Sequence, residues 1–208
     1  TSNTRLSEPF TSETNIAHHV RRDPEGVTHV LHAMRDLGTA KNEVIYGNNR
    51  TGRWVFETLF QGTAPVYSSA LALDQQGGLH AAFVGYNVLH YLKRVGGSWQ
   101  TEDLSAQGPF SSESLNLSVD SHQNPILGFA TIESSSVTIR VWKKTGSLWS
   151  PLQSLANPGG VHLLRIDSQD RIHLALLDAA NDQVRYVRLS LTGSIEIDAM
   201  FPAPGAVE

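Results

Sequence analysis

Ala70-Leu71-Ala72-Leu73-Asp74-Gln75-Gln76-Gly77-Gly78-Leu79-His80-Ala81-Ala82-Phe83-Val84 is the stretch that decides the fold. An apolar run stops at Asp74, a polar turn follows, and a second apolar run opens at His80. Leu89-His90-Tyr91-Leu92-Lys93 reads as a third run, Gly96-Gly97 as the next turn, and Trp99 to Leu104 as a fourth run. Short segments rich in Val, Leu, Tyr and Trp, broken by Gly, Asn and Asp, are what strands and their turns require.

The same grammar recurs along the chain. Asp23, Asp74, Asp120 and Asp167 align, at spacings of 51, 46 and 47 residues. Six residues past each Asp stands His29, His80, Ile126 or His173; further on come Tyr46, Tyr91, Val141 and Tyr186. Eight residues beyond the first three of these lie Trp54, Trp99 and Trp149, whereas the fourth copy carries Ile195 and Ile197 near that place. No stretch keeps a helical apolar period, and Pro and Gly recur too often to allow one. Four units of four strands each, repeated every forty-five to fifty residues, predict an all-β chain of β-propeller blades. A single small sheet cannot bury both of its faces, so such blades pack face to face around an axis. The expected blades cover approximately 11–60, 66–105, 111–154 and 160–200 of one 208-residue domain.

The turn Asp-x-x-Gly-x-x-His, followed by Tyr and then Gly-x-x-Trp, resembles the tandem repeats of bacterial propeller proteins related to the sialidase-like Asp-box group. The resemblance spans about Thr11 to Ala199 and departs from the strict Asp-box pattern, because His stands where that pattern has Trp. It implies a propeller, often of an exported protein, and favours an extracellular or periplasmic location. It does not imply one function, since propellers host lectins, lyases, hydrolases and inert scaffolds. The arginine cluster, Tyr and Glu of sialidase-like enzymes are not reproduced as a set.

Thr4 to Phe10 at one end and Phe201 to Gly205 at the other resemble the segments Thr58–Gly62, Glu102–Ser105 and Pro151–Ser154, which read as linkers after an outer strand. The chain is therefore cut between blades. It closes as a four-bladed ring, or forms half of an eight-bladed ring completed by a second copy, or belongs to a longer propeller. Open blade faces would be large apolar patches, which favours closure or self-association.

Composition narrows the partners. The net charge of −4 carries no footprint for nucleic acid or an anionic membrane surface. No apolar run reaches the roughly 18 residues of a membrane helix. There is no Cys, which removes disulfides, thiolate metal sites and a Cys nucleophile. No cofactor, metal or catalytic set is expected, as no phosphate loop, triad spacing or zinc-protease motif occurs.

The periodic residues read as structural: the Asp as a turn cap, the His as an imidazole bridging turn backbone groups, the Tyr as core, and Trp54, Trp99 and Trp149 as packing between blades. Residues that break the period are the candidate ligand-binding set: His18, His19, Arg21, His162, Arg165 and Trp142. Arg21 and Arg165 each lie two residues before their Asp, where the middle copies have Ala72 and Ser118. At the axis, two such guanidinium groups would hold a carboxylate or sulfate. The expected function is a non-catalytic, lectin-like scaffold for a glycan or protein. A lyase or glycoside hydrolase with an axial His/Arg site is the alternative, and a self-assembling structural array the third reading.

Overall fold

The computed structural model describes residues 13–36, 41–63, 65–85, 88–104, 110–133, 136–156, 160–178 and 181–202. They form four antiparallel sheets, each an up-and-down run of four consecutive strands. Sheet 1 holds β1 (Glu13–Arg22), β2 (Thr28–Asp36), β3 (Lys41–Asn48) and β4 (Val55–Gly62); sheet 2 holds β5 (Val66–Leu73), β6 (Leu79–Gly85), β7 (Val88–Val95) and β8 (Ser98–Asp103). Sheet 3 holds β9 (Phe110–Val119), β10 (Pro125–Glu133), β11 (Ser136–Thr145) and β12 (Leu148–Ala156); sheet 4 holds β13 (Val161–Ile166), β14 (Ile172–Asp178), β15 (Gln183–Leu189) and β16 (Ile195–Pro202). Among the described residues there is no helix.

Each first hairpin closes on its repeated Asp. Asp23, Asp74, Asp120 and Asp167 accept through Oδ1 the backbone N–H of Val27, Gly78, Asn124 and Arg171, at 2.7 to 2.9 Å. The residue three past the Asp takes a left-handed φ in all four turns: Gly26, Gly77, Gln123 and Asp170. The turn therefore survives the loss of Gly in the last two copies because the Asp carboxylate fixes its geometry.

The sheets pack in chain order through their first strands, β1 on β5, β5 on β9 and β9 on β13. Three apolar clusters fill the three spaces between them, with Leu31, Tyr46 and Leu71 in the first, Tyr91, Leu117 and Phe129 in the second, and Ile126, Leu164 and Leu174 in the third. Sheets 4 and 1 do not close on each other, so of the three outcomes left open by the sequence the closed four-bladed ring is not formed. Val20 of β1 shows why this leaves apolar surface open. Three residues before the Asp, Leu71, Leu117 and Leu164 are at most 3% exposed, whereas Val20 is 59% exposed.

The segments expected as linkers are strand. Thr58–Gly62 belongs to β4, Glu102 and Asp103 to β8, Pro151–Ser154 to β12, and Phe201 and Pro202 to β16. Each fourth strand is an edge and pairs on one side only. It tolerates Pro151 where the register shifts between Val141 and Trp142, since no neighbour asks for the missing N–H. Thr4 to Phe10 and residues 203–205 lie outside the described residues.

Candidate functional site

The periodic His proves to be the centre of a relay rather than a bridge between turn backbone groups. His29 meets the Tyr46 hydroxyl through Nδ1 (2.7 Å) and Asp23 through Nε2 (3.2 Å). His173 repeats this with Tyr186 (2.8 Å) and Asp167 (3.0 Å). His80 meets Tyr91 at 2.6 Å, but its Nε2 stands 3.6 Å from Asp74, too far for a hydrogen bond. Sheet 3 has Ile126 and Val141 at these places, and there Lys143 takes over the carboxylate of Asp120 at 2.8 Å.

These groups are tuned by what surrounds them. Burial, then the Lys93 ammonium, lowers His80 to about 4, so its ring is neutral. Burial, then Glu102, pushes the Tyr91 phenol up, so it stays protonated where it meets His80 Nδ1. The backbone N–H of Arg171, then His173, hold Asp167 well below the usual carboxylate range. With His29 and His80 almost wholly enclosed, the His–Tyr pairs of sheets 1 and 2 serve the fold.

Trp99 and Trp149 are equally committed. Each stands edge-on to the Tyr of the preceding sheet, Trp99 to Tyr46 (5.2 Å) and Trp149 to Tyr91 (5.1 Å). They pack into the inter-sheet clusters, which removes them as sugar platforms. Trp142 also belongs there. It packs against the cluster between sheets 2 and 3, with its ring 6.2 Å from Phe129. It occupies the place of Leu92 and Val187, each one residue past the periodic Tyr or Val.

The axial side chains do meet. A cavity of 260 Å³ is lined from all four first strands: Arg21 and Arg22 of β1, Ala72 and Leu73 of β5, Leu117, Ser118 and Val119 of β9, and Arg165 and Ile166 of β13. The position two before the Asp faces this space in every sheet. Arg occupies it in the outer two, while small Ala72 and Ser118 leave the room between them. Arg21 and Arg165 donate to backbone carbonyls, of Val20 (2.9 Å) and Leu164 (2.8 Å). Among the described residues neither has a carboxylate partner. Burial, then Arg165, lowers the Arg21 guanidinium. Burial, then Arg21, lowers the His19 imidazole, with Arg165 adding to it; His19 does not line this cavity but a second one, with His18 and His32.

The other candidates lie elsewhere. His18 turns to the opposite face of β1, where its ring stacks on His32 at 4.5 Å with Nδ1 atoms 2.7 Å apart. That pair borders the second cavity, of 200 Å³, with Val20, Val30, Ile45 and Phe56. The side chain of His162 lies outside the described residues. Among the described residues no cluster of three His, Asp or Glu is placed to hold a metal ion.

No known protein family matches this chain, and no curated protein does. Solved structures resemble it in fold. A mannose phosphorylase from Leishmania mexicana, in complex with phosphate ion, superposes with a TM-score of 0.57 at 9% identity, over 99% of this chain and 77% of its own. The polysaccharide lyase Uly1 gives 0.53 at 9% identity over 91% of this chain, and a bifunctional GH43-CE protein from Bacteroides eggerthii gives 0.53 at 12% over 94%. The present chain spans 50% and 27% of these last two proteins. At such identities the likeness concerns fold alone, and the Asp-box affiliation stays a resemblance.

Proposed function

We propose that the protein is a non-catalytic binding scaffold whose axial cavity takes an acidic saccharide, one bearing a carboxylate or sulfate. The observation that carries this reading is the approach of Arg21 and Arg165, from the first and last sheets, to one cavity without a carboxylate to neutralise them. Two guanidinium groups held against their own repulsion favour an anion between them, and their forked donors match the two oxygens of a carboxylate or sulfate. The remaining wall alternates Ser118 with Ala72, Leu73, Leu117 and Ile166, a mixture suited to the hydroxyl edges and apolar faces of a sugar ring. Among the described lining residues there is no carboxylate or tyrosine, which favours holding an anion over general acid–base chemistry.

Calorimetric titration with a uronate-bearing or sulfated oligosaccharide, set against its neutral counterpart, tests the reading. A charge-assisted hydrogen bond contributes about 1.5–3 kcal/mol, so Arg21→Ala and Arg165→Ala should each weaken binding roughly tenfold or more. Binding of the acidic ligand should also weaken as salt is raised. Equal affinity for the neutral sugar, or full affinity in the double variant, would refute it.

A further inference from the structure

We propose that the free face of sheet 4 docks on the free face of sheet 1 of a second copy, head to tail at two equal interfaces, closing a ring of eight sheets. The case rests on how the sheets of one chain already recognise each other.

At the first internal interface, sheet 1 presents Tyr46 and, directly across the β3–β4 pair, Glu57. Sheet 2 answers with Arg94 and its cross-strand partner Trp99. Arg94 binds Glu57 at 2.8 Å and lies over the Tyr46 and Trp99 rings, while Trp99 meets Tyr46 edge-on. The second interface repeats the device. Tyr91 and Glu102 of sheet 2 receive Lys144 and Trp149 of sheet 3, with Lys144 paired to Glu102 and 5.4 Å from the Tyr91 ring. Trp149 adds an N–H bond to Glu102 at 3.1 Å.

At the third interface both charges vanish together. Sheet 3 has Val141 and Gln153 where the others have Tyr and Glu, and sheet 4 has Leu189 paired with Ile195 where the others have a cation and Trp. The acid on one sheet and the cation on the next are thus kept or lost as a pair.

The two open faces obey the same rule with each other. Sheet 4 offers Tyr186 with Ala199 across from it, so the Tyr is retained and the acid is gone. Sheet 1 offers Trp54 and, by the same spacing of five residues, Asn49, so the Trp is retained and the cation is gone. Covering elements unrelated to this chain would make those two losses independent; docking of one face on the other makes them one event. Both faces also keep the burial pattern of an interface that is not filled. Val184 and Tyr186 are half-buried, although the equivalent Val44, Leu89 and Tyr46, Tyr91 are at most 2% exposed. On sheet 1, Phe56 lies over Gly47, where even a Cβ would come within 2.5 Å of its ring. It fills the space that Leu92 and Trp142 occupy in the next sheets, and stacks on Trp54 at 6.0 Å. A head-to-tail contact between unlike faces closes into a ring or grows into a filament. Four sheets from each copy make the propeller ring that one copy leaves open.

Two face-blocking variants test this with the full chain. Val20→Asp places a charge on the sheet 1 face and Ala175→Asp places one on the sheet 4 face; circular dichroism and thermal melting check that each stays folded. By light scattering, the wild type should show about 45 kDa, twice the 22.7 kDa of the chain. Each variant alone should fall to the single-chain mass. An equimolar mixture should regain a 1:1 pair, since each variant keeps the face the other has lost. A wild type of single-chain mass, a folded variant that remains a dimer by itself, or a wild type whose mass keeps rising with concentration would each overturn the proposal.

Discussion

Acidification should unfold this protein partly through one imidazole. His80 is wholly enclosed, is hydrogen-bonded to the Tyr91 hydroxyl at Nδ1, and has no hydrogen-bond partner at Nε2. Burial, then the Lys93 charge, sets its proton affinity down to about 4, against an ordinary value of 6.5, while Asp74 at 3.6 Å only partly opposes them. The folded protein therefore rejects a proton that the unfolded chain accepts. The neutral ring's contribution is complete above about 6.5 and is lost as pH falls from there toward about 4. By proton linkage, going from about pH 7 to about pH 5 should cost about 2 kcal/mol at this site. The perturbation is His80→Gln, which keeps a polar contact for Tyr91 and cannot titrate. Urea unfolding of both proteins at the two pH values, followed by tryptophan fluorescence at one fixed protein concentration, reads the effect. At neutral pH the variant should be weaker by about 1 kcal/mol from the poorer hydrogen bond. Its loss on acidification should be smaller than the wild type's by about 2 kcal/mol. What other histidines contribute is common to both proteins and cancels. An equal acid loss in the two proteins would refute the assignment.

Other positions test the packing. Gly193→Ala should destabilise by more than about 3 kcal/mol, because a Cβ there meets the Leu152 carbonyl oxygen in a left-handed backbone (φ 87°). Gly52→Ala, at φ 76° with open space around it, should cost only about 1 kcal/mol, and similar urea midpoints for the two variants would contradict the contact. Lys143→Met strands the enclosed Asp120 carboxylate without its cation and should cost about 3 kcal/mol; a loss under about 1 kcal/mol would mean that the turn amides alone satisfy it.

The repeat was legible because its marks are interior residues that cannot drift. Each Asp is tied to the same turn amide, and Tyr46 and Tyr91 are fixed against the next sheet, so spacing alone registers the sheets. The relay was equally present and went unread: the three copies with His keep Tyr, and the one copy with Ile126 also has Val141. That joint loss announces a contact between the two positions. Outer strands were mistaken for linkers because an unpaired edge accepts Pro151 and polar residues, which look like loop. Trp142 stood out as an anomaly by residue type, although its position matches the interior Leu92 and Val187. Rarity of a side chain is a weaker signal than its place in the period.

The axial pair shows the opposite case. Two residues before the Asp, the first strands carry Arg, Ala, Ser and Arg, a position that lines the cavity in every sheet and that only Ala72 shares with an inter-sheet cluster. Packing at this position is satisfied by Ala72 and asks for no guanidinium, so the two Arg are not there for the core. Arg21 is half-buried beside a like charge, and its guanidinium is lowered by that burial and then by Arg165. Such a pairing opposes folding. Ala72 and Ser118 show that the same backbone position accepts a small neutral residue. An arrangement that works against the fold, at a site where the fold has a ready alternative, supports the proposal that an anion sits between the two guanidinium groups. The period thus marks what stability needs, and this departure from it marks where we propose that a ligand is held.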